Sequence, residues 1–594
     1  MSSENTTTLS RRRLLRATGA VSAVALLQSS RPDRPVGRTA AAQGPTFRTA
    51  AETPPQDVQF NPRNPSDRAR DVEALLFEPL AAYDPESESF SPVLAESWGF
   101  TAPDTFEITL RADYNWHEVS DGNTTVGGQA IDGSDLAREL RIDDSLGADY
   151  WDVVSGVSVP SSHTVRVTFT EAVNQSVVKL DLLQRRLNHP PTYFSTGGSG
   201  YESLRISPAD GDLPVGSGPL KFDSLTDGTL TLVPAAGHPD GGSLALGEVQ
   251  FLDRTTESEQ WADLADGDVD GIGSAYFPPA FREHEGATPV DSLQQLRAPS
   301  DGGWGVLINH RHPLLSDRSI RKAVAHVFSS TAAVESMTDT VPQAVSQLTG
   351  LPPRQTRQYL DGELGRFETY GDRKRAAELL GRADFERKWE GWRDPRGDGA
   401  VFGFLPGGNP HAADGSCLGP TEPGWFYGAR AFVEQLRDFL QGEDPSIPDH
   451  QADMVQAFTD AGPHDDMFAF LPARQWGRLD GGHAYHLYRD DLLLREAAEL
   501  GYGPTVEVPP YDDPSGPLQT VDLRAKLDSL RTATSDDEER RLVRELAWVV
   551  NETVPYLQGN YRPVTAYVDA GEWSANDADA PTAPLADPDT LSKR

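Results

Sequence analysis

Cysteine is almost missing from this chain: Cys417 is the only one in 594 residues. A disulfide within the chain is therefore excluded, and so is any metal or iron–sulfur centre built on several thiolates. Cys417 sits in a Gly- and Asp-rich stretch with no His and Asn arranged as a thiol enzyme needs, and it is read as incidental. Lysine is scarce too: only seven occur, from Lys179 to Lys593, so arginine carries nearly all the positive charge. Positive charge as a whole is short, with 53 basic against 90 acidic residues and a net charge of −37. Phosphate backbones are bound by clustered Lys and Arg, so the balance argues against nucleic acid. It suits a surface bathed in concentrated salt, where ions screen self-repulsion. After the N-terminal leader no run reaches the roughly 18 apolar residues that a spanning helix needs. His-Glu-x-x-His and Gly-x-Ser-x-Gly are also missing, so no zinc-protease helix or serine-hydrolase elbow is written here.

What is present begins with an address. Ser10-Arg11-Arg12-Arg13-Leu14-Leu15-Arg16 has the twin-arginine pattern. A short apolar run, Ala17–Leu27, follows, then a small-residue cleavage site at Ala40-Ala41-Ala42. The mature chain is expected to start near Gln43. Apolar residues make up 37% of the chain, an ordinary globular share. Its length exceeds what one hydrophobic core supports, so two or three lobes are expected.

Local patterns then mark elements. Asp71–Leu80 carries Val72, Leu75, Leu76 and Leu80 at helical spacing. Phe106, Ile108 and Leu110 alternate as in a strand, preceded by Pro92–Trp98, which reads as a short helical segment. Ile131–Leu140 reads as a helix with Ser134 as N-cap, and Val153–Thr170 as a hairpin. Asp268 and Asp270 are read as structural residues rather than as a metal pair. His310 and His312 flank Arg311 without a third ligand at metal-site spacing and read as loop polar groups. Leu523–Trp548 is strongly helical, with a new start at Thr534–Glu539.

Six stretches, in order, resemble the large extracytoplasmic solute-binding proteins of ABC importers, the peptide/nickel-binding family. They are Ser91–Glu118 (SPVLAESWGFTAPDTFEITLRADYNWHE), Leu213–Leu220 (LPVGSGPL), Trp261–Ile272 (WADLADGDVDGI), Trp304–Ala325 (WGVLINHRHPLLSDRSIRKAVA), Tyr370–Leu380 (YGDRKRAAELL) and Val554-Pro555-Tyr556-Leu557. Two glycines flanking Ser217 are read as permitting a tight turn. The chain departs from the family where Pro234–Gly242 replaces an N-x-x-Y-W stretch, and no cysteine follows the leader for lipid attachment.

The resemblance implies an α/β, bilobed periplasmic-binding-protein-like (type 2) fold with an extra small domain on the first lobe. It implies a leader over 1–42, lobe I over 43–85 and 200–300, the small domain over 86–199, lobe II over 301–545, and a return to lobe I over 546–594. It implies capture of a peptide or a similar small solute between the lobes by hinge closure, and delivery to an ABC permease and its ATPase, without covalent chemistry, metal or cofactor and as a monomer. A ligand-sensing receptor of the same fold is the alternative, and a secreted hydrolase a more distant one. Candidate ligand contacts are Tyr276, Asn309, Trp425, Tyr427, Leu471, Arg474, Gln475, Trp476 and Gln558. Peptide-binding relatives place an aspartate within a W-x-x-D stretch to pair with the peptide ammonium. The comparable segment, Phe470–Trp476, has Arg474 or Gln475 near that place instead; Arg474 is read either as forking onto a ligand carboxylate or as a surface arginine paired with a local Asp. Asn309, at the lobe crossing, is read as serving either the ligand or the hinge.

Overall fold

The computed structural model describes residues 44–575 and 591–593, apart from 274–292, 330–342, 394–403, 406–431, 440–467, 472–481 and several shorter breaks. The chain divides into two compact units. One comprises the residues up to Ala275, Glu285–Pro299 and Val564 onward; the other comprises Tyr276–His284 and Ser300–Pro563.

The first unit is built on a seven-stranded mixed sheet. Its strand Thr46–Ala50 runs parallel to Glu248–Leu252, with Phe47 opposite Val249. On its other side it bridges in parallel to Gly271–Gly273 at Thr49. Phe47 and Thr49 on one face are fully buried, and Thr46 and Ala50 on the other are buried too, so the strand is covered on both sides. The edge hairpin Leu220–Thr226 and Thr229–Pro234 turns through Asp227-Gly228, both with positive φ. That is the backbone a two-residue hairpin loop demands, and Asp-Gly supplies it cheaply.

Beside this sheet stands a four-stranded antiparallel one, in the order Ala95–Ala102, Thr105–Leu110, Thr164–Phe169, Val154–Ser161. Phe106, Ile108 and Leu110 face inward against the helix-bearing side, as their alternation predicts. The hairpin expected within Val153–Thr170 is formed by the last two strands. The segment Pro92–Trp98 is not helical. Ala95 pairs with Leu110 and Trp98 with Ile108, so it is an edge strand. A helix of six or seven residues is marginal in water, and a full set of cross-strand hydrogen bonds outweighs it. The helix Gly133–Ser145 is capped by Asp132, whose Oδ1 accepts the Ser134 N–H at 2.7 Å, rather than by Ser134. Asp135 reaches back to the Asp132 N–H at 3.0 Å, a reciprocal cap.

The Trp-His pair and the Gly-Ser-Gly stretch turn out to be one construction. Trp116 Nε1 donates to Asp135 (3.1 Å), and Arg138 pairs with the same carboxylate. The buried His117 ring bonds the Gly218 carbonyl through Nε2 at 2.7 Å. Its burial drives the imidazole down to about 3, so it is neutral and Nε2 is the donor. Ser217 and Gly218 donate their N–H groups to the Leu76 carbonyl at the end of the helix Arg70–Leu76, at 2.9 and 2.8 Å. Ser217 Oγ accepts the Glu78 N–H at 3.1 Å. Neither glycine has a positive φ. They are required by close backbone approach: a Cβ on Gly216 would lie 2.1 Å from the Leu76 carbonyl oxygen, and one on Gly218 2.3 Å from that of Leu75.

The second unit centres on a five-stranded sheet, in the order Gln343–Ala344, Tyr556–Tyr561, Gly303–Ile308, Phe468–Leu471, Phe404–Leu405. Helices Arg318–Val327 and Arg373–Arg382 pack over it through Ile320, Val324, Ala376 and Leu380. Asp317 caps the first of these and Asp372 caps the second. The predicted C-terminal helical stretch is two helices, Leu523–Arg531 capped by Asp522 and Asp536–Thr553 capped by Ser535. The latter ends on Val554 in the left-handed region, φ 48°, and passes into the strand Tyr556–Tyr561. Among the described residues no helix is long and apolar enough to cross a membrane.

Gly216→Ala and Gly218→Ala should each cost about 1–3 kcal/mol, the range for overpacking a well-packed core. Gly99→Ala, where nothing lies within 4 Å of the added Cβ, should be neutral. Urea denaturation in matched salt reads the difference; equal stability of the three variants would contradict the close-approach argument.

Candidate functional site

The strand Gly303–Ile308 organises the candidate residues that fall within the described chain. Leu471 lies opposite Gly305 on one side, and Gln558 lies opposite Gly305 on the other. These two candidates thus share a row of the sheet. Asn309 follows the strand directly, four residues along and so roughly 13 Å from that row at strand rise. Tyr276, Trp425, Tyr427, Arg474, Gln475 and Trp476 lie outside the described residues, as does Cys417.

Gln558 is fully buried and its amide is held at both ends. The Gly350 N–H donates to its Oε1 (3.3 Å), and its Nε2 donates to the Leu351 carbonyl (3.2 Å). Tyr488 Oη adds a bond to the neighbouring Thr349 carbonyl at 2.8 Å. The Gln558 side chain therefore fastens the 349–351 turn onto the sheet.

Asn309 is 4% exposed. Its Oδ1 accepts the Arg311 N–H (3.0 Å) and its carbonyl accepts the His312 N–H (3.1 Å), which bends the chain out of the strand. The two histidines complete that bend. His312 Nδ1 accepts the Leu314 N–H at 3.3 Å. His310 donates its backbone N–H to the Leu500 carbonyl at 2.8 Å, and its ring meets Tyr502 edge to face. Burial, with Arg321 nearby, takes the His310 imidazole down to about 3, so it stays uncharged. Arg321 ties the bend to the long helix: Nε donates to the Thr553 carbonyl (2.8 Å), and one terminal nitrogen to the carbonyls of Leu315 and Ser316 (2.8 and 2.9 Å).

Three groups that no sequence pattern announces hold the surroundings. Lys322 Nζ lies between Glu552 (2.8 Å) and Glu368 (2.7 Å), and Arg318 reaches the other oxygen of Glu552 at 2.5 Å. Asn551 clamps the Glu368 backbone, accepting its N–H (2.8 Å) and donating to its carbonyl (3.1 Å). Tyr359 Oη donates to Glu539 at 2.7 Å, with His483 Nε2 3.3 Å from both. His483 Nδ1 accepts the Tyr485 N–H, so the His483 proton sits on Nε2. These partners are separated by about 50 to more than 200 residues, and no local signal links them. In the first unit Asp270 is occupied by Arg48, its carboxylate accepting the Arg48 backbone N–H at 2.9 Å and facing the guanidinium at 3.1 Å. Among the described residues no group of three or more His, Cys, Asp or Glu could hold a metal ion.

The family description "Bacterial extracellular solute-binding proteins, family 5 Middle" matches residues 89–414, more than half of the chain. The chain belongs to this family. Solved structures agree on the fold of this solute-binding protein. A mannohexaose-bound periplasmic oligopeptide-binding protein of an oligopeptide ABC transporter from Thermotoga maritima aligns at TM-score 0.64 and 16% identity, over 92% of this chain and 98% of its own. NikA from Brucella suis, in complex with Fe(III)-EDTA, aligns at 0.68 and 15% identity, over 93% and 100%. The oligopeptide-binding protein AppA from Bacillus subtilis, with a nonapeptide, aligns at 0.61 and 15% identity, over 93% and 100%. Curated proteins provide no match.

Gln558→Leu should destabilise the binding protein by about 1–3 kcal/mol, because the Gly350 N–H and the Leu351 carbonyl lose their buried partner; denaturant midpoints measure it. Glu368 gives a pH signature. Burial opposes its charge, but the His326 hydrogen bond and the Lys322 ammonium prevail and bring it from 4.5 down to about 2. A depressed carboxylate stabilises fully above its unfolded value, and that contribution fades as pH falls from about 4.5 toward 2. The stability gap between the parent and Glu368→Gln should therefore be constant at pH 6–7 and shrink between about pH 4.5 and 2. A gap that does not change with pH would contradict the assignment.

Proposed function

We propose that this solute-binding protein is the extracytoplasmic component of an ABC importer, which captures a peptide or similar small solute by hinge closure and delivers it unaltered to a permease and ATPase. The family match over residues 89–414 carries the reading. Chain connectivity supports a hinge. Strands Leu293–Ala298 and Val564–Asp569 pair in the first unit, with Ala298 opposite Val564. The same two runs continue as Gly303–Ile308 and Tyr556–Tyr561, which pair in the second unit with Gly303 opposite Tyr561. Residues 299–302 and 562–563 are all that separates them. Short connecting stretches of this kind are the arrangement in which a few residues absorb a domain rotation. A ligand drives such closure only as far as it binds the closed form better.

Peptide is the proposed ligand class, with Tyr276, Asn309, Trp425, Tyr427, Leu471, Arg474, Gln475, Trp476 and Gln558 as candidate contacts. The hydrogen bonds of Gln558 and Asn309 to backbone groups of the neighbouring turns support a positioning role for these two. In the sequence, Arg474 or Gln475 falls near the position of the relatives' aspartate, and an arginine there would favour a ligand with an accessible carboxylate. The twin-arginine leader and the −37 charge support export of a folded monomer into concentrated salt. Nothing in this reading calls for catalysis or nucleic acid.

Native mass spectrometry of the protein purified in high salt, followed by thermal shift against peptides, oligosaccharides and metal chelates, tests the ligand class. A peptide at a hundredfold excess over its Kd should stabilise the protein by about 2.7 kcal/mol. Stabilisation by oligosaccharide or chelate alone would overturn the peptide assignment, and turnover of a bound compound would overturn the transport reading.

A further inference from the structure

We infer that Asn123 is an N-glycosylation site of this extracellular protein. The Asn-x-Ser/Thr acceptor pattern occurs at Asn123-Thr124-Thr125, Asn174-Gln175-Ser176 and Asn551-Glu552-Thr553 within the described chain. A fourth copy, Asn5-Thr6-Thr7, falls in the leader. The structure separates the three. Asn174 is 2% exposed, and its Oδ1 caps a helix by accepting the N–H groups of Ser176 and Val177. Asn551 is fully buried, with its amide spent on both backbone groups of Glu368. Neither can enter a transferase without local unfolding.

Asn123 differs on each count. It lies in the turn between the short strands Val119–Ser120 and Thr125–Val126, where residues 120–125 are all exposed. The turn is held by other groups: Asp121 Oδ1 accepts the N–H groups of Asn123 and Thr124, each at 2.7 Å, and Gly122 takes the positive φ. Among the described residues no hydrogen bond is made by the Asn123 amide. The acceptor nitrogen is therefore presented on a preformed turn, two residues from an exposed Thr125 hydroxyl. A chain that reaches the outside already folded offers only such a turn to the transferase.

The sugar donor is an oligosaccharide carried on a polyprenyl phosphate or pyrophosphate. Asn123 Nδ2 attacks the anomeric carbon. The bond from that carbon to the phosphate oxygen breaks, its electron pair leaving on the phosphate. A carbon–nitrogen bond forms, and the amide gives one proton to a base of the transferase. The product carries no charge at the amide, so the linkage itself leaves the acidic balance unchanged.

The test is glycopeptide and intact-mass spectrometry of the full chain purified from its native host. The Asn123 peptide should carry sugar-spaced mass additions, while the Asn174 and Asn551 peptides should be bare. Asn123→Gln and Thr125→Ala should each lose the whole addition, and Thr125→Ser should keep it. All three sit on an exposed turn and should retain the parent melting temperature. An unmodified Asn123 peptide, or an addition that survives Thr125→Ala, would overturn the inference. Ligand binding is unaffected by either result, so the transport reading stands or falls separately.

Discussion

Charge buried at the end of the long C-terminal helix sets much of the second unit. Glu552 occupies the last turn of Asp536–Thr553, where the helix dipole already places partial negative charge. It is tolerated because Lys322 and Arg318, on a separate helix, both reach it. Lys322 also holds Glu368, whose backbone is gripped by Asn551 from the same last turn. Removing one member would strand its partner's charge in a dry place, a loss of about 3–5 kcal/mol. The network thereby fixes where the helix stops, and with it where the strand Tyr556–Tyr561 enters the sheet beside Gly303–Ile308.

The polar groups near that strand divide their work. Gln558 and Asn309 look inward and hold turns, while Leu471 shares the row with Gln558 across Gly305. Buried amides that satisfy backbone groups are well suited to holding a shape against which other side chains meet a ligand. The shared fold accommodates very different guests: the three similar structures contain a nonapeptide, mannohexaose and a metal chelate. A scaffold with its polar interior spent on itself leaves ligand choice to residues projecting from it.

Much of the architecture was legible in local pattern. Alternation placed Phe106, Ile108 and Leu110 on the core face and marked the hairpin within Val153–Thr170, because that signal acts within a few residues. Pro92–Trp98 misled because its state is decided by Leu110 and Ile108 across the sheet, not by its own propensity. Ser134 lost the cap to Asp132 by two positions, within the usual uncertainty of helix ends. Gly216 and Gly218 were visible as special, yet the cause, contact with carbonyls of Leu75 and Leu76, joins stretches about 140 residues apart. For the same reason the grip of Gln558 on residues 350–351, and that of Asn551 on Glu368, left no trace in the sequence.

The placement of Val564–Asp569 inside the first unit's sheet, between Gly271–Gly273 and Leu293–Ala298, bears on how the chain is made. While a ribosome is still extending the chain, that slot is empty, and Leu293–Ala298 has no neighbour to join. The sheet completes only after nearly all of the polypeptide has emerged. Maturation of this unit is thus a late, whole-chain event, dominated by contacts between distant stretches and correspondingly slow.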